Sequence, residues 1–164
     1  MRDPATKRMT REEALTWRSE RARSGARLVM TTGCFDLLHP GHVEYLNRAR
    51  GLGDALLVAT NSDGSLRRLK GPSRPIFPET DRTTTLASLE CVDAVVVFDG
   101  PNCPDLMEQV RPDVYAKGGD YSLKTMDPAE RAALEHVGTR IVFVPFHPGY
   151  SSSTLMARLQ RLFG

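Results

Sequence analysis

At 164 residues, 40% hydrophobic and 26% charged, the chain is long enough for one domain with a real core and ordinary for a globular protein. A net charge of +2 is too small to argue for nucleic acid, no run approaches a membrane span, and the polar N-terminus lacks a signal peptide's apolar core. Three unclustered cysteines, Cys34, Cys91 and Cys103, make neither a disulfide framework nor a zinc ribbon and read as reduced thiols in a cytoplasm.

The first nine residues read as a dispensable or disordered tail. Thr10-Arg11-Glu12-Glu13 is a capping box for a helix over 11–23. Residues 1–27 hold eight Lys or Arg against four acids, a local +4. This is read as a solvated basic face, with a partner or homodimer surface as the alternative, although no heptad marks one. A strand is predicted near 27–32, a helix near 41–51 and an apolar strand over 55–60. Asn61-Ser62-Asp63 caps a helix or enters a loop. Arg67 to Pro75 is read as a loop bearing four cations, Arg67, Arg68, Lys70 and Arg74, because Gly71-Pro72 and Pro75 cannot sit inside a helix. A helix over 79–90, a strand over 94–98, a helix over 104–110 and a strand at 114–116 follow. Asp127-Pro128 opens a helix by the N-cap-then-Pro rule. A last strand covers 140–144 and a closing helix 151–162.

Strands that are apolar throughout, separated by helices, imply an α/β fold: a Rossmann-like, doubly wound parallel sheet of five strands with helices on both faces and right-handed crossovers. Residues 1–26 form an N-terminal tail and helix, and 27–164 the sheet domain. In such a sheet ligands bind beyond the carboxyl ends of the strands, where the strand order reverses. The loops at 33–42, 60–75, 117–121 and 145–153 are therefore where chemistry is expected.

The first of these is Thr32-Gly33-Cys34-Phe35-Asp36-Leu37-Leu38-His39-Pro40-Gly41-His42. A strand, a glycine turn and a helix start bring free N–H groups and two imidazoles to one spot, which is an anion site. The bland alternatives are two structural histidines or a metal pair. Zinc helices of the H-E-x-x-H kind space their histidines i, i+4 with a glutamate between. Here the spacing is i, i+3 with Pro40-Gly41 between, and phosphate is preferred. The cations of 67–75 suit phosphate too, since Arg binds it bidentately and Lys as a mobile charge; a solvated surface is the alternative. Arg82, early in the next helix, is a further candidate. Lys117-Gly118-Gly119-Asp120-Tyr121 is either a plain turn or bare backbone lying close to a ligand, with Asp120 accepting hydrogen bonds. Ser151-Ser152-Ser153-Thr154 after Gly149-Tyr150 exceeds what one helix cap requires, and offers N–H groups and hydroxyls to a phosphate.

Over residues 27–162 the chain resembles the nucleotidyltransferase superfamily marked by the H-x-G-H motif. Gly33–Asp36 and His39–His42 carry that likeness. Asn61-Ser62-Asp63, Arg68–Gly71, Ser73-Arg74-Pro75 and Lys117–Tyr121 are similar to its heptose 1-phosphate adenylyltransferase branch. Ser151-Ser152-Ser153 departs from the usual Ser-Thr-Thr but keeps its hydroxyls, and Phe146 stands where the cytidylyl branch tends to have Arg. The resemblance implies transfer of AMP from ATP to a sugar 1-phosphate, with pyrophosphate leaving. It implies His39, His42 and Lys70 as catalytic groups. Nucleotide contacts are implied at Thr32, Gly33, Cys34, Phe35, Gly41, Lys117, Gly118, Asp120, Ser151, Ser152 and Ser153. Substrate contacts are implied at Asp36, Asn61, Asp63, Arg74, Arg82 and Tyr121. Mg2+ is expected to bridge phosphates with few protein ligands, because it keeps its waters. No nucleic acid or membrane partner is implied, and a separate kinase is expected to supply the sugar 1-phosphate. Cytidylyl transfer to a polyol or other sugar phosphate, and a nucleotide-binding module without turnover, are the alternatives.

Overall fold

The computed structural model describes residues 3–119, 121–145 and 152–163. Five of its strands carry the sheet: β2 (Leu28–Gly33), β3 (Ala55–Asn61), β4 (Ala94–Phe98), β5 (Val114–Gly118) and β6 (Arg140–Val144). A sixth, β1 (Arg8–Met9), pairs in parallel with β4 through Arg8 to Val95 and Met9 to Val96. The order is β1-β4-β3-β2-β5-β6 and every pairing is parallel. The tail is therefore part of the sheet. A 3-10 turn at Pro4–Lys7 leads into β1, and the Lys7 side chain runs inward so that Nζ donates to the Leu89 carbonyl at 3.0 Å. No periodicity is visible in so short an edge strand, and the reading of a disordered tail fails there.

Alternation along each strand divides the core in two. Leu28, Met30, Leu57, Ala59 and Tyr115 face one side, with Ala14, Trp17, Leu106 and Met107 from helices α1 (Arg11–Arg23) and α5 (Pro104–Val110). Val29, Leu56, Val58 and Ala116 face the other, with Tyr45, Leu46 and Ala49 from α2 (Pro40–Arg50) and Leu86 from α4 (Glu79–Ser88). Two-faced burial is why these strands read as continuous apolar runs. α6 (Pro128–His136) and α7 (Ser152–Phe163) complete the helices after α3 (Asp63–Lys70). No helix among the described residues is long and apolar enough to cross a membrane.

The capping box of α1 is present, with Thr10 Oγ1 accepting from Glu13 N and Glu13 Oε2 accepting from Thr10 N. The basic face of α1 is partly spent on the fold. Arg18 donates to the Val110 and Arg111 carbonyls and pairs with Asp113 at 3.1 Å, and Arg11 donates to Gln109. Residues 63–70, expected as loop from Arg67 onward, form a helix. Ser62 Oγ accepts from Ser65 N as its N-cap, so Arg67, Arg68 and Lys70 ride a helix and only 71–78 forms the loop.

Candidate functional site

From β2 the chain winds outward through β3 to β4, then returns to lay β5 against the other edge of β2. The strand order reverses between β2 and β5, and a cavity of about 740 Å³ opens there at the carboxyl ends of the strands. Its floor is Thr32-Gly33-Cys34-Phe35. Phe35 holds a left-handed φ of 47° and its ring folds back over Gly33. A Cβ at Gly33 would lie 2.8 Å from that ring, so any larger residue there has to displace it. Strained backbone of this kind collects where a loop must present its amides to a ligand.

Helix α2 starts beside this turn. His39 is its N-cap residue and Pro40 its first helical residue, and the His39 and His42 rings stack with centroids 3.8 Å apart. His42 faces the cavity and touches Phe35 edge-on at 5.5 Å. Burial, then the neighbouring His39, push the His42 pKa down to about 4, with a Leu37 backbone hydrogen bond opposing; burial lowers His39 too. Both are neutral imidazoles at pH 7. Gly41 is buried within the first turn and does not border the cavity. Tyr45 pins the helix in place: its hydroxyl bonds Thr31 Oγ1 at 2.6 Å and donates to the Ala116 carbonyl at 2.9 Å.

The β3 side carries the cations. Lys70, exposed at the end of α3, and Arg74 both border the cavity, with Leu66, Leu69, Phe98 and Pro101 as apolar wall. Asp36 is spoken for: its carboxylate is 5% exposed, pairs with Arg74 and accepts from Ile76 N at 2.8 Å and Phe77 N at 3.1 Å. It shapes the 74–77 loop and holds the Arg74 guanidinium. Asn61 is likewise engaged, donating to Ser65 Oγ and the Gly100 carbonyl and accepting from the Cys34 thiol at 3.5 Å. Burial pushes the Cys34 thiol up, against the lowering pull of Lys70, Arg82 and Arg74, so it is no thiolate nucleophile.

Arg82 and Asp63, expected as substrate contacts, pair with each other instead. Neither borders the cavity. The Arg82 side chain is fully buried beneath the floor and donates to Phe77 O, Cys34 O, Thr60 Oγ1, Asn61 O and Asp63 Oδ1 at 2.7–3.1 Å. It is the rivet joining α4 to the β2 and β3 termini, and its donors are directed at protein acceptors.

On the β5 side, Lys117 and Gly118 border the cavity with Tyr121 and Ser152. Asp120, Phe146, Ser151 and the side chain of Ser153 lie outside the described residues. Four polar groups here escape sequence reasoning: Asn102, Thr125, Asp127 and Glu130. Asp127 shows in sequence only as a helix cap, and it does accept from Ala129 N and Glu130 N at 3.0 Å. Glu130 sits in a stretch, Ala129-Glu130-Arg131-Ala132, with the look of a solvated helix face, yet it is 3% exposed and lies 3.3 Å from Lys117 Nζ. Among the described residues no group of three or more His, Cys, Asp or Glu gathers as a metal site.

Such a cavity can receive a polyanion: a glycine turn, the His42 imidazole from the first turn of α2, with His39 stacked on it outside the lining, and three cationic side chains meet there. The cytidylyltransferase-like family profile matches residues 30–159, which includes all of these groups. "Bifunctional protein HldE" of Syntrophotalea carbinolica is 46% identical over 137 residues, 84% of this chain and 28% of that protein. The protein of that name from Koribacter versatilis is 45% identical over 150 residues, 92% of this chain and 30% of its own length. The chain thus spans less than a third of these curated relatives. The crystal structure of the lipopolysaccharide core biosynthesis protein from Thermoplasma volcanium superposes with a TM-score of 0.61 at 31% identity, over 75% of this chain and 98% of that one. Pantoate-beta-alanine ligase from Francisella tularensis shares the fold alone, with a TM-score of 0.57 at 14% identity over 88% of this chain and 67% of that one. On a profile match spanning nearly the whole sheet domain and a relative covered almost end to end, the chain belongs to the cytidylyltransferase-like family.

Proposed function

We propose that the chain is a nucleotidyltransferase that moves AMP from ATP to heptose 1-phosphate, giving ADP-heptose and pyrophosphate. The observation that carries this reading is the convergence of His42, backed by the stacked His39 ring, with the Gly33–Phe35 turn and Lys70, Arg74 and Lys117 around one cavity at the switch point. The heptose assignment draws on the likeness of Asn61–Asp63, Ser73–Pro75 and Lys117–Tyr121 to that branch. The name of the Thermoplasma volcanium neighbour, a lipopolysaccharide core biosynthesis protein, agrees with it.

The sugar phosphate oxygen attacks the α-phosphorus of ATP, the bond to the β-phosphate oxygen breaks, and pyrophosphate takes the electron pair. The nucleophile is already an anion, so no general base is required. The chain's part is to bring like charges together and to stabilise charge on the transferring group. The Gly33–Phe35 amides line the α-phosphate. His42, with His39 stacked on it, donates to the α- and β-phosphates from neutral imidazole. Lys70 neutralises phosphate charge, and Arg74 holds the sugar phosphate. Ser152, with Ser151 and Ser153, receives the β- and γ-phosphates. Mg2+ is taken to enter with the triphosphate as part of the substrate, neutralising its oxygens. The carboxylates at the cavity are committed elsewhere, Asp36 to Arg74, Asp127 to the start of α6 and Glu130 to Lys117.

The deciding experiment is pyrophosphate release across ATP, CTP and GTP, each with heptose 1-phosphate or glycerol 3-phosphate. Release with ATP and heptose 1-phosphate is expected. Preference for CTP with the polyol phosphate overturns the base and acceptor assignment. Nucleotide binding without release from any pair overturns the enzyme.

A further inference from the structure

We propose that Glu130 is a positioning residue for Lys117, holding its ammonium at the root of the Gly33–Phe35 turn; this rests on the reading of the cavity as a nucleotide site. A carboxylate is out of place where anions bind. The Glu130 side chain is nevertheless 4% exposed and borders the cavity. Buried charge of this kind is tolerated when it is paired, and its partner is Lys117, with Nζ 3.3 Å from Oε2. The same Nζ lies 3.3 Å from the Tyr115 hydroxyl and 3.5 Å from Thr32 Oγ1, and those two hydroxyls bond each other at 2.7 Å. The rings of Tyr121 and Tyr115 flank it at 5.2 and 5.8 Å.

One ammonium is thus gripped from β2, β5 and α6, and Asp127 in turn fixes the first turn of α6 through Glu130 N. Thr32 immediately precedes Gly33, so the charge is anchored next to the amides that meet the phosphate. Each of the three donors has an acceptor at the long end of hydrogen-bond range. The lysine can lean toward a phosphate oxygen while Glu130 keeps its place. A flexible four-carbon stem fixed in advance lowers the ordering entropy that binding must overcome.

A double-mutant cycle of Lys117→Met, Glu130→Gln and the pair tests this, read in kcat, the KM for each substrate, ATP Kd by calorimetry and thermal melting. Lys117→Met is expected to weaken kcat/KM for ATP by about 10². Glu130→Gln should lower kcat about tenfold while the KM for ATP stays level or falls, because the site has lost a negative charge. In the Lys117→Met background Glu130→Gln should change nothing beyond about twofold, since it acts through the lysine. Additive effects overturn the proposal, as does a change confined to the KM for the sugar phosphate, which makes Glu130 an acceptor contact. So does a lower melting point with kcat per folded enzyme intact. If Glu130→Gln does not fold, Lys117→Arg reads the same contact: it moves the charge off Thr32 and Tyr115, and unimpaired turnover refutes the positioning role. A wild type that binds ATP but releases no pyrophosphate refutes the proposed function instead. The cycle is then read in ATP Kd, where Lys117→Met and the double variant should match.

Discussion

Arg82→Met separates a structural rivet from a substrate ligand. The guanidinium is completely buried and makes five hydrogen bonds, to Phe77 O, Cys34 O, Thr60 Oγ1, Asn61 O and Asp63 Oδ1. Methionine fills much of the volume but donates nothing, so the Phe77 and Asn61 carbonyls lose its hydrogen bonds and Cys34 O keeps only Thr60 Oγ1 of the two donors described for it. Breaking a buried charged network by removing one member costs about 3–5 kcal/mol. Asp63 is 21% exposed and can recover some hydration, which places the expected loss near the lower end, about 3 kcal/mol. At ~2–4 °C per kcal/mol for a chain of this size, the melting point should fall by about 6–12 °C. Urea unfolding followed by circular dichroism should give a matching loss. Arg82→Lys restores charge but offers three donors for five acceptors, and should fall between. An Arg82→Met variant that melts within about 2 °C of wild type while the KM for the sugar phosphate rises overturns the structural role. The guanidinium would then be facing substrate.

His42→Ala with the fold intact should reduce turnover by about 10²–10³, measured as pyrophosphate release per folded enzyme. His42 also titrates. Its folded pKa of about 4 lies below the ordinary 6.5, so the neutral form favours the fold. That contribution is complete above about pH 6.5 and fades as pH falls toward 4, by up to about 3 kcal/mol. Urea midpoints across pH 7 to 4 should therefore decline less steeply for His42→Asn than for wild type. Tyr45→Phe should lose about 1–2 kcal/mol, because the Ala116 carbonyl and Thr31 hydroxyl are left in the core without it. Removing residues 1–9 deletes β1 and the Lys7 anchor; a loss of about 1–3 kcal/mol is expected, and an unchanged melt restores the dispensable tail.

Periodicity and punctuation made the fold legible. α5 starts at Cys103-Pro104 and β6 just after Gly138-Thr139, and Thr10 with Glu13 sets the start of α1. Two stretches misled. Cations next to Gly71-Pro72 looked like loop, although Ser62 caps a helix through 63–70 and the glycine merely ends it. Arg82 looked like a substrate contact because arginine is rarely buried whole; three of its five acceptors are backbone carbonyls, which no side-chain pattern reveals. The turn and the histidine pair were visible because local spacing builds them. The Lys117–Glu130 contact joins a strand to a helix 13 residues on, through tertiary packing that leaves Glu130 looking like any surface glutamate.

The chain has a single tryptophan, Trp17, sealed against the sheet face opposite α2 with the Arg21 guanidinium 5.3 Å from its ring centroid. Its fluorescence is a private channel for the N-terminal helix: it reports peeling of α1 from α5 and is blind to events around His42. Tyr45, Tyr115 and Tyr121 border or underlie the cavity instead. Excitation at the red edge, where only indole absorbs, therefore follows the N-terminal brace separately from the rest of the molecule.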